Sequence, residues 1–456
     1  MLRSRLFALR LLSALPVVAL PAGPASAGPS LPGHYLASTL PTCTADDAAG
    51  FTACIDKLNG GLTDDVQLTN LVICSGPAAC DFPAVRVSRP VSVGGATNSG
   101  AGFRRLDTFN YPIVKIQNST GVTLKNLQFD ENREHDCDPT VEDCSSSVSI
   151  TDDSNIVVDG VTIQYAKSFG IAVTGTKGLT IKNSTLVDHE IFGIWLNNNP
   201  PHVPTDVHLE NNLLKDTKSN GVLFSAAGTA KNPATITGNT FIHDHRDAVF
   251  FVCGPSGRGP CAGGQLLISR YTQNLTISDN VIKEGIMDNY DSQGLFVSGI
   301  EFSEHDVSGV TITKNDIHKN TGTGIVVNTP QSNISNISID QNKLYANRDA
   351  IYFPGADIGH NCYAPKCSPT ILRGSMYSYP PCIIPAGATT CTTTVTWTTN
   401  DASKDAVVKT SSGATFATGA GGSKVSGPIG AAGETFKLYA GPTLLSTLFV
   451  KGVTPK

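Results

Sequence analysis

Residues 178–196 read GLTIKNSTLVDHEIFGIWL, and the two segments inside that stretch decide the fold. The first, GLTIKNSTL (178–186), alternates apolar and polar side chains and then turns. The second, GIWL (193–196), is short and apolar. Alternation at a period of two marks a strand with one buried face. The first segment recurs as GVTLKNLQF (121–129), NIVVDGVTI (155–163), DVHLENNLL (206–214), PATITGNTF (233–241), NLTISDNVI (274–282), GVTITKNDI (309–317) and NISIDQNKL (336–344). The second recurs as GIAV (170–173), GVLF (221–224), AVFF (248–251), GLFV (294–297), GIVV (324–327) and AIYF (350–353), at intervals of 23–46 residues. Short strands at such spacing, with no helices between them, stack as coils of a solenoid. A β-sandwich of meandering strands leaves two motifs in fixed order unexplained. From 206 onward Asn212, Asn239, Asn280, Asn315 and Asn342 keep one register. Asparagine tolerates left-handed turns, and stacked amides hydrogen-bond along a solenoid.

This two-segment repeat resembles the parallel β-helix repeat of the pectin-lyase-like superfamily, over roughly residues 65–360. The resemblance implies a right-handed parallel β-helix, all-β, and a carbohydrate-active role. Residues 46–60, DDAAGFTACIDKLNG, resemble the amphipathic helix that caps such coils, with Phe51, Ile55 and Leu58 on one face. The expected organisation is a signal peptide (1–27), a cap segment (28–64), the β-helix (65–360), a linker (361–391) and a small sandwich (392–456). The signal rests on Arg3, Arg5, an apolar run at 6–22 and Ala25-Ser26-Ala27. In the tail, TTTVTWTTND, AVVKTS, KLYAG and STLFVKG alternate between glycine-rich turns. That tail resembles immunoglobulin-like sandwiches appended to secreted bacterial enzymes. Trp397 is expected in its core, with stacking on sugar as the other use.

Charge and cysteine content narrow the partners. Net charge is −5, and losing the three arginines of residues 1–27 takes it to −8. A basic face for phosphate is not expected, so nucleic acid is excluded as a partner. No later apolar run reaches the roughly 20 residues of a membrane span. The chain is expected to be a secreted monomer, extracellular or periplasmic. Twelve cysteines fall into six close neighbours: Cys43/Cys54, Cys74/Cys80, Cys137/Cys144, Cys253/Cys261, Cys362/Cys367 and Cys382/Cys391. An even count in an exported chain points to local disulfides. The competing zinc reading lacks CxxC spacing and a matching histidine pattern, so no metal is assigned.

Stacking turns equivalent positions into columns about 4.8 Å apart. One column holds Asp188, Asp216, Asp244 and Glu284; its carboxylates suit the acid and base of a glycosidase, or Ca²⁺, or merely a solvated turn. A second holds Lys167, Glu190, Lys218 and His245, beside the dense segment HDHRDAVFF (243–251) with Arg246 and Asp247. Exposure beside a charged neighbour is what a general acid or base requires, while an Arg–Asp pair locking the turn explains the same residues. A third is apolar and faces outward: Ala172, Trp195, Leu223, Phe250, Phe296, Val326 and Tyr352. It reads as a sugar-binding stripe or a face covered by another element.

Family motifs do not transfer. SNG, RDA and SQG stand at 219–221, 246–248 and 292–294, where polygalacturonases carry NTD, DD and GHG, and HDHRD only loosely echoes the DPHD of alginate epimerases. Arg246 among Asp216 and Asp244 imitates pectate lyases without their diagnostic motif. The expected function is cleavage of glycosidic bonds in a polysaccharide or oligosaccharide. For hydrolysis the acid and base are Asp244 and Asp247, or Asp216 and Asp244. For elimination Arg246 or Lys218 neutralises a uronate and His245 takes the C5 proton. Trp195, Phe250, Glu190 and Asp188 hold the substrate. The alternative is a non-catalytic glycan-binding or surface protein. No cofactor is firmly implied beyond Ca²⁺.

Overall fold

The computed structural model describes residues 40–75, 80–96, 100–106, 111–131, 146–197, 199–244, 262–286, 296–302, 306–327, 333–363, 374–385, 387–399, 406–441 and 443–454. Most of them wind into a right-handed parallel β-helix of three sheets, with twelve, ten and nine strands. The chain visits the sheets in that order on each coil. A representative coil runs through Lys177–Lys182, Thr185–Val187 and Phe192–Leu196. Its inward side chains Leu179, Ile181, Leu186, Ile194 and Leu196 are fully buried. Each such burial contributes roughly 1.5–3 kcal/mol, and the next coil repeats it in register, with Leu179 paired to Val207 and Leu186 to Leu214.

The turn from the first sheet to the second explains the repeated asparagines. Asn183, Asn211, Asp279, Lys314 and Gln341 sit there at positive φ, and Gly238 fills the same role. The following residue points inward. Ser184 N–H donates to Asn212 Oδ1 (3.0 Å), Asn212 to Asn239 (2.9 Å), Asn239 to Asn280 (2.8 Å), Asn280 to Asn315 and Asn315 to Asn342 (both 3.0 Å). Asn361 closes the ladder at 3.0 Å from Asn342 N. Buried backbone donors at the turns thereby find partners.

The helix Ala48–Asn59 covers the first coil. Asp47 caps it by accepting from Gly50 N–H at 2.7 Å, and Phe51, Cys54, Ile55 and Leu58 are buried. Cys43–Cys54 ties it to strand Cys43–Ala45, which already pairs with Asp65–Leu68. The coil therefore begins inside the segment expected to be cap alone. Cys74–Cys80 and Cys382–Cys391 are also bonded, and Cys362 is disulfide-bonded. Cys137, Cys144, Cys253, Cys261 and Cys367 lie outside the described residues, as does the expected signal segment. Among the described residues no helix is long and apolar enough to cross a membrane.

The C-terminal part is a small antiparallel sandwich. One sheet holds Gly374–Tyr379, Thr394–Thr399 and Gly421–Val425; a four-stranded one ends in Thr443–Val450. Val395, Trp397, Val408, Phe436 and Leu438 form its core, and Trp397 Nε1 donates to Gly419 O at 3.0 Å. Strand Gly374–Tyr379 falls within residues 361–391, expected as a linker. Its alternation, Met376 to the sandwich core and Tyr377 to the coil, is masked in sequence by surrounding Pro and Cys. Tyr377 and Tyr379 pack on Val187, Leu213 and Ile242, so the sandwich sits against the second sheet.

The register of the third sheet differs from the expected one, and the expected strand 248–251 lies outside the described residues. Leu223 pairs with Leu267, Leu267 with Glu301, Glu301 with Val326 and Val326 with Tyr352. The strands are Ala262–Ile268 and Phe296–Phe302, so Leu267 and Glu301 stand where Phe250 and Phe296 were expected. Connections of unequal length precede this sheet, and spacing between apolar segments does not fix register across them.

Candidate functional site

The corner between the second and third sheets is built on another left-handed column: Tyr165, Asp188, Asp216, His243, Glu284 and Lys319, at φ of 55 to 61°. Lys215 pairs with Ile242, so Asp216 neighbours His243, and Asp244 lies one position further on. The expected acidic column is thus broken at Asp244. Asp216 accepts from His243 Nδ1 at 2.8 Å and meets Lys215 Nζ at 2.9 Å. Burial alone would raise its carboxyl, but the His243 hydrogen bond and the Lys215 ammonium outweigh this and hold it below the usual range. Asp188 donates its backbone N–H to Lys215 O at 2.9 Å.

Asp244 belongs to an interior column with His189 and Thr217, all fully buried. Ala166 N–H donates to His189 Nδ1 (3.2 Å), and Thr217 N–H to Asp244 Oδ1 (3.0 Å). Asp244 N–H then donates to Gln265 Oε1 (3.2 Å), whose amide donates to Asn320 Oδ1 (2.6 Å), and Asn320 N–H continues to Asn347 (3.1 Å). This is a second ladder. Gly285 occupies the position after Asp244, and a Cβ there would lie 2.7 Å from Asn320 Oδ1. The Gln265 amide, reaching from the third sheet, fills that gap. Burial pushes the Asp244 carboxyl up to about 8 and pulls His189 down to about 3, so both are neutral at pH 7. Asp244 faces the core rather than a groove.

The outer face of the third sheet carries a different set. Along one column run Ala172, Trp195, Leu223, Leu267, Glu301, Val326 and Tyr352. The half-buried Trp195 stacks on Phe169, with centroids 5.0 Å apart and planes 15° apart. Phe169 in turn stacks on Phe192 at 5.6 Å and 10°. At the adjoining corner Lys218 Nζ lies 2.6 Å from Glu190 Oε2. These two belong to the coils of Trp195 and Leu223. Glu301 is a buried carboxylate in the middle of the face, and Tyr352 at its end is 59% exposed. Sequence periodicity finds Trp195, Glu190 and Lys218. It misses Phe169, Phe192 and Glu301, although phenylalanine one residue before the Gly-Ile of two successive coils is a readable signal.

His245, Arg246, Asp247 and Phe250 lie outside the described residues. Among the described residues, no group of three or more His, Cys, Asp and Glu side chains converges as metal ligands. Carboxylates of the corner column are instead paired with cations, Asp216 with Lys215 and Glu284 with Lys283 and Lys319.

A family model described as the right-handed beta helix region matches residues 105–258. No curated protein matches the chain significantly. Among solved structures, the A-module of mannuronan C-5 epimerase AlgE4 from Azotobacter vinelandii is 15% identical, with a TM-score of 0.41 over 71% of this chain and 94% of that one. The surface protein and adhesin PfbA of Streptococcus pneumoniae is 14% identical, with a TM-score of 0.39 over 70% and 94%. An alginate lyase from Paenibacillus sp. is 10% identical, with a TM-score of 0.37 over 70% and 97%.

Proposed function

We propose that the protein acts on a polysaccharide outside the cell and holds it along the outer face of the third sheet. The stack of Phe169, Phe192 and Trp195 carries this reading. Three near-parallel, partly buried rings form an apolar shelf, which suits the C–H faces of sugar rings. Disulfides in the coil and the sandwich fit the oxidising conditions of secretion. The test is affinity electrophoresis in gels containing alginate, polygalacturonate, xylan or cellulose. Retention by at least one polymer is expected, with Trp195→Ala weakening it about ten-fold or more. Retention by none, or equal retention of the variant, overturns the reading.

Cleavage on this face falls to the groups beside the shelf. Glu190 is the carboxylate assigned to proton transfer in this reading, and its ion-pair partner Lys218 the cation assigned to a uronate carboxylate. His245, Arg246 and Asp247 are the residues from which an elimination base or a second carboxylate would come. Asp216 and Asp244 are not retained as an acid–base pair, because Asp244 faces the interior. New reducing or unsaturated ends, lost in Glu190→Gln, are expected from the polymer that binds. A non-catalytic binder is the second reading, favoured by the sequestration of Asp244 and the ion pairing of Asp216. Binding with no new ends supports it.

A further inference from the structure

The geometry points to a second ligand site, for a carboxylate-bearing saccharide, in the cleft between the second sheet and the C-terminal sandwich. The cleft measures roughly 540 Å³, within the size range of small-ligand sites. Its two walls differ in chemistry. The coil contributes Lys215, Lys283, Lys319, Glu284, His318 and Tyr345; the sandwich contributes mainly hydroxyls.

The hydroxyl wall has unmet capacity. Ser375 pairs with Thr398 across the sheet, and Tyr377 with Thr396, so their side chains share the coil-facing side. Thr396 and Ser423 satisfy one another at 2.8 Å. Ser375 Oγ and Thr398 Oγ1 are buried and have no hydrogen-bond partner among the described residues. Thr398 is only 8% exposed. A buried hydroxyl without a partner is unfavourable, and two side by side on the lining of a cleft mark the place where a ligand's own hydroxyls would supply the missing bonds.

The opposite wall is short of negative charge. Lys215 is matched by Asp216 at 2.9 Å. Lys283 and Lys319 share Glu284, at 3.5 and 3.7 Å, and Asp316, whose charge also reaches Lys283, is paired with Lys343 at 3.4 Å. One ammonium is therefore in excess within a chain of net charge −5. Burial pulls the Lys283 ammonium down from its ordinary value, so a bound anion stabilises its charged form. His318 lies flat on Tyr345, at 4.6 Å and 11°, and adds a ring surface. Hydroxyls on one side and a surplus cation on the other match a uronic acid better than a neutral sugar or a bare anion.

This site lies on a different sheet from the aromatic shelf and does not depend on it. Isothermal titration of the full chain with glucuronate, glucose and acetate tests it. Glucuronate is expected to bind, with glucose and acetate at least ten-fold weaker. Lys319→Ala, at a side chain 59% exposed and so little risk to folding, is expected to weaken glucuronate about ten-fold. Thr398→Val is expected to weaken it as well, whereas Lys57→Ala, exposed on the cap helix, leaves it unchanged. Absent glucuronate binding, equal binding of acetate or glucose, or indifference to both cleft substitutions would each overturn the proposal. Polymer retention by Lys319→Ala and Thr398→Val beside weakened glucuronate binding separates the two sites.

Discussion

Inside the coil, Asp244 keeps a proton that the unfolded chain would release. The free carboxyl ionises near 3.8 and the buried one near 8. Between those values the folded state binds the extra proton, so stability falls as pH rises through the window and levels off above it. Asp153, another buried carboxyl, is raised to about 6 and adds to the decline over the lower part of the range. His189, held down to about 3 from 6.5, opposes this decline below about pH 6.5, so thermal melts should show the fall in Tm most clearly between pH 6.5 and 8. Asp244→Asn supplies a neutral amide of the kind already present at Asn320 and Asn347. One pKa unit is worth about 1.4 kcal/mol, so the variant should gain more than about 1 kcal/mol at pH 7 and show a flatter pH profile. A destabilised variant with an unchanged profile would refute the assignment. Sequence spacing places Asp244 with Asp188 and Asp216. A single residue of offset, set by the pairing of Lys215 with Ile242, moves it from the rim to the interior.

The two ladders show what repetition reveals at the level of the turn and what it hides. The asparagine ladder is legible because one residue type recurs at one position, and the structure extends it to Ser184 and Asn361. The second ladder uses His189, Asp244, Gln265, Asn320 and Asn347, with Gln265 drawn from another strand, so no repeat announces it. Both predict measurable costs. Asn239→Ala leaves Asn212 N–H and Leu209 O without their partner in the core and should lose about 1–3 kcal/mol in denaturant unfolding. Gly285→Ala pushes a methyl against Asn320 and the Gln265 amide, and should cost about as much. Neutral behaviour at both positions would contradict the hydrogen-bond network. Third-sheet register is unreadable for a related reason: long connections precede Ala262–Ile268 and Phe296–Phe302, and the spacing of apolar segments does not fix pairing across them.

Across the whole molecule, the stacked coil and the strands of the C-terminal part follow from periodicity, because each depends on many residues agreeing, while the hand of the coil, its cap helix and the sandwich follow from the family resemblance. Where the sandwich docks depends on a few contacts and is not readable. Tyr377 joins the Val187–Leu213–Ile242 patch while its hydroxyl meets Lys215 Nζ at 2.9 Å. Tyr377→Ala should loosen this seam and speed proteolytic release of the C-terminal part, with the coil left intact. An unchanged digestion pattern would mean that other contacts hold the seam. Docking on the second sheet leaves the aromatic shelf on a different sheet, where the proposed polymer lies. The chain has two tryptophans, Trp195 and the core residue Trp397. In a Trp397→Phe variant all tryptophan emission comes from the shelf. Titrating that variant with the polymer that retains it should quench or shift the emission, saturating at the same concentration as binding. Full binding with unaltered Trp195 emission would contradict the account.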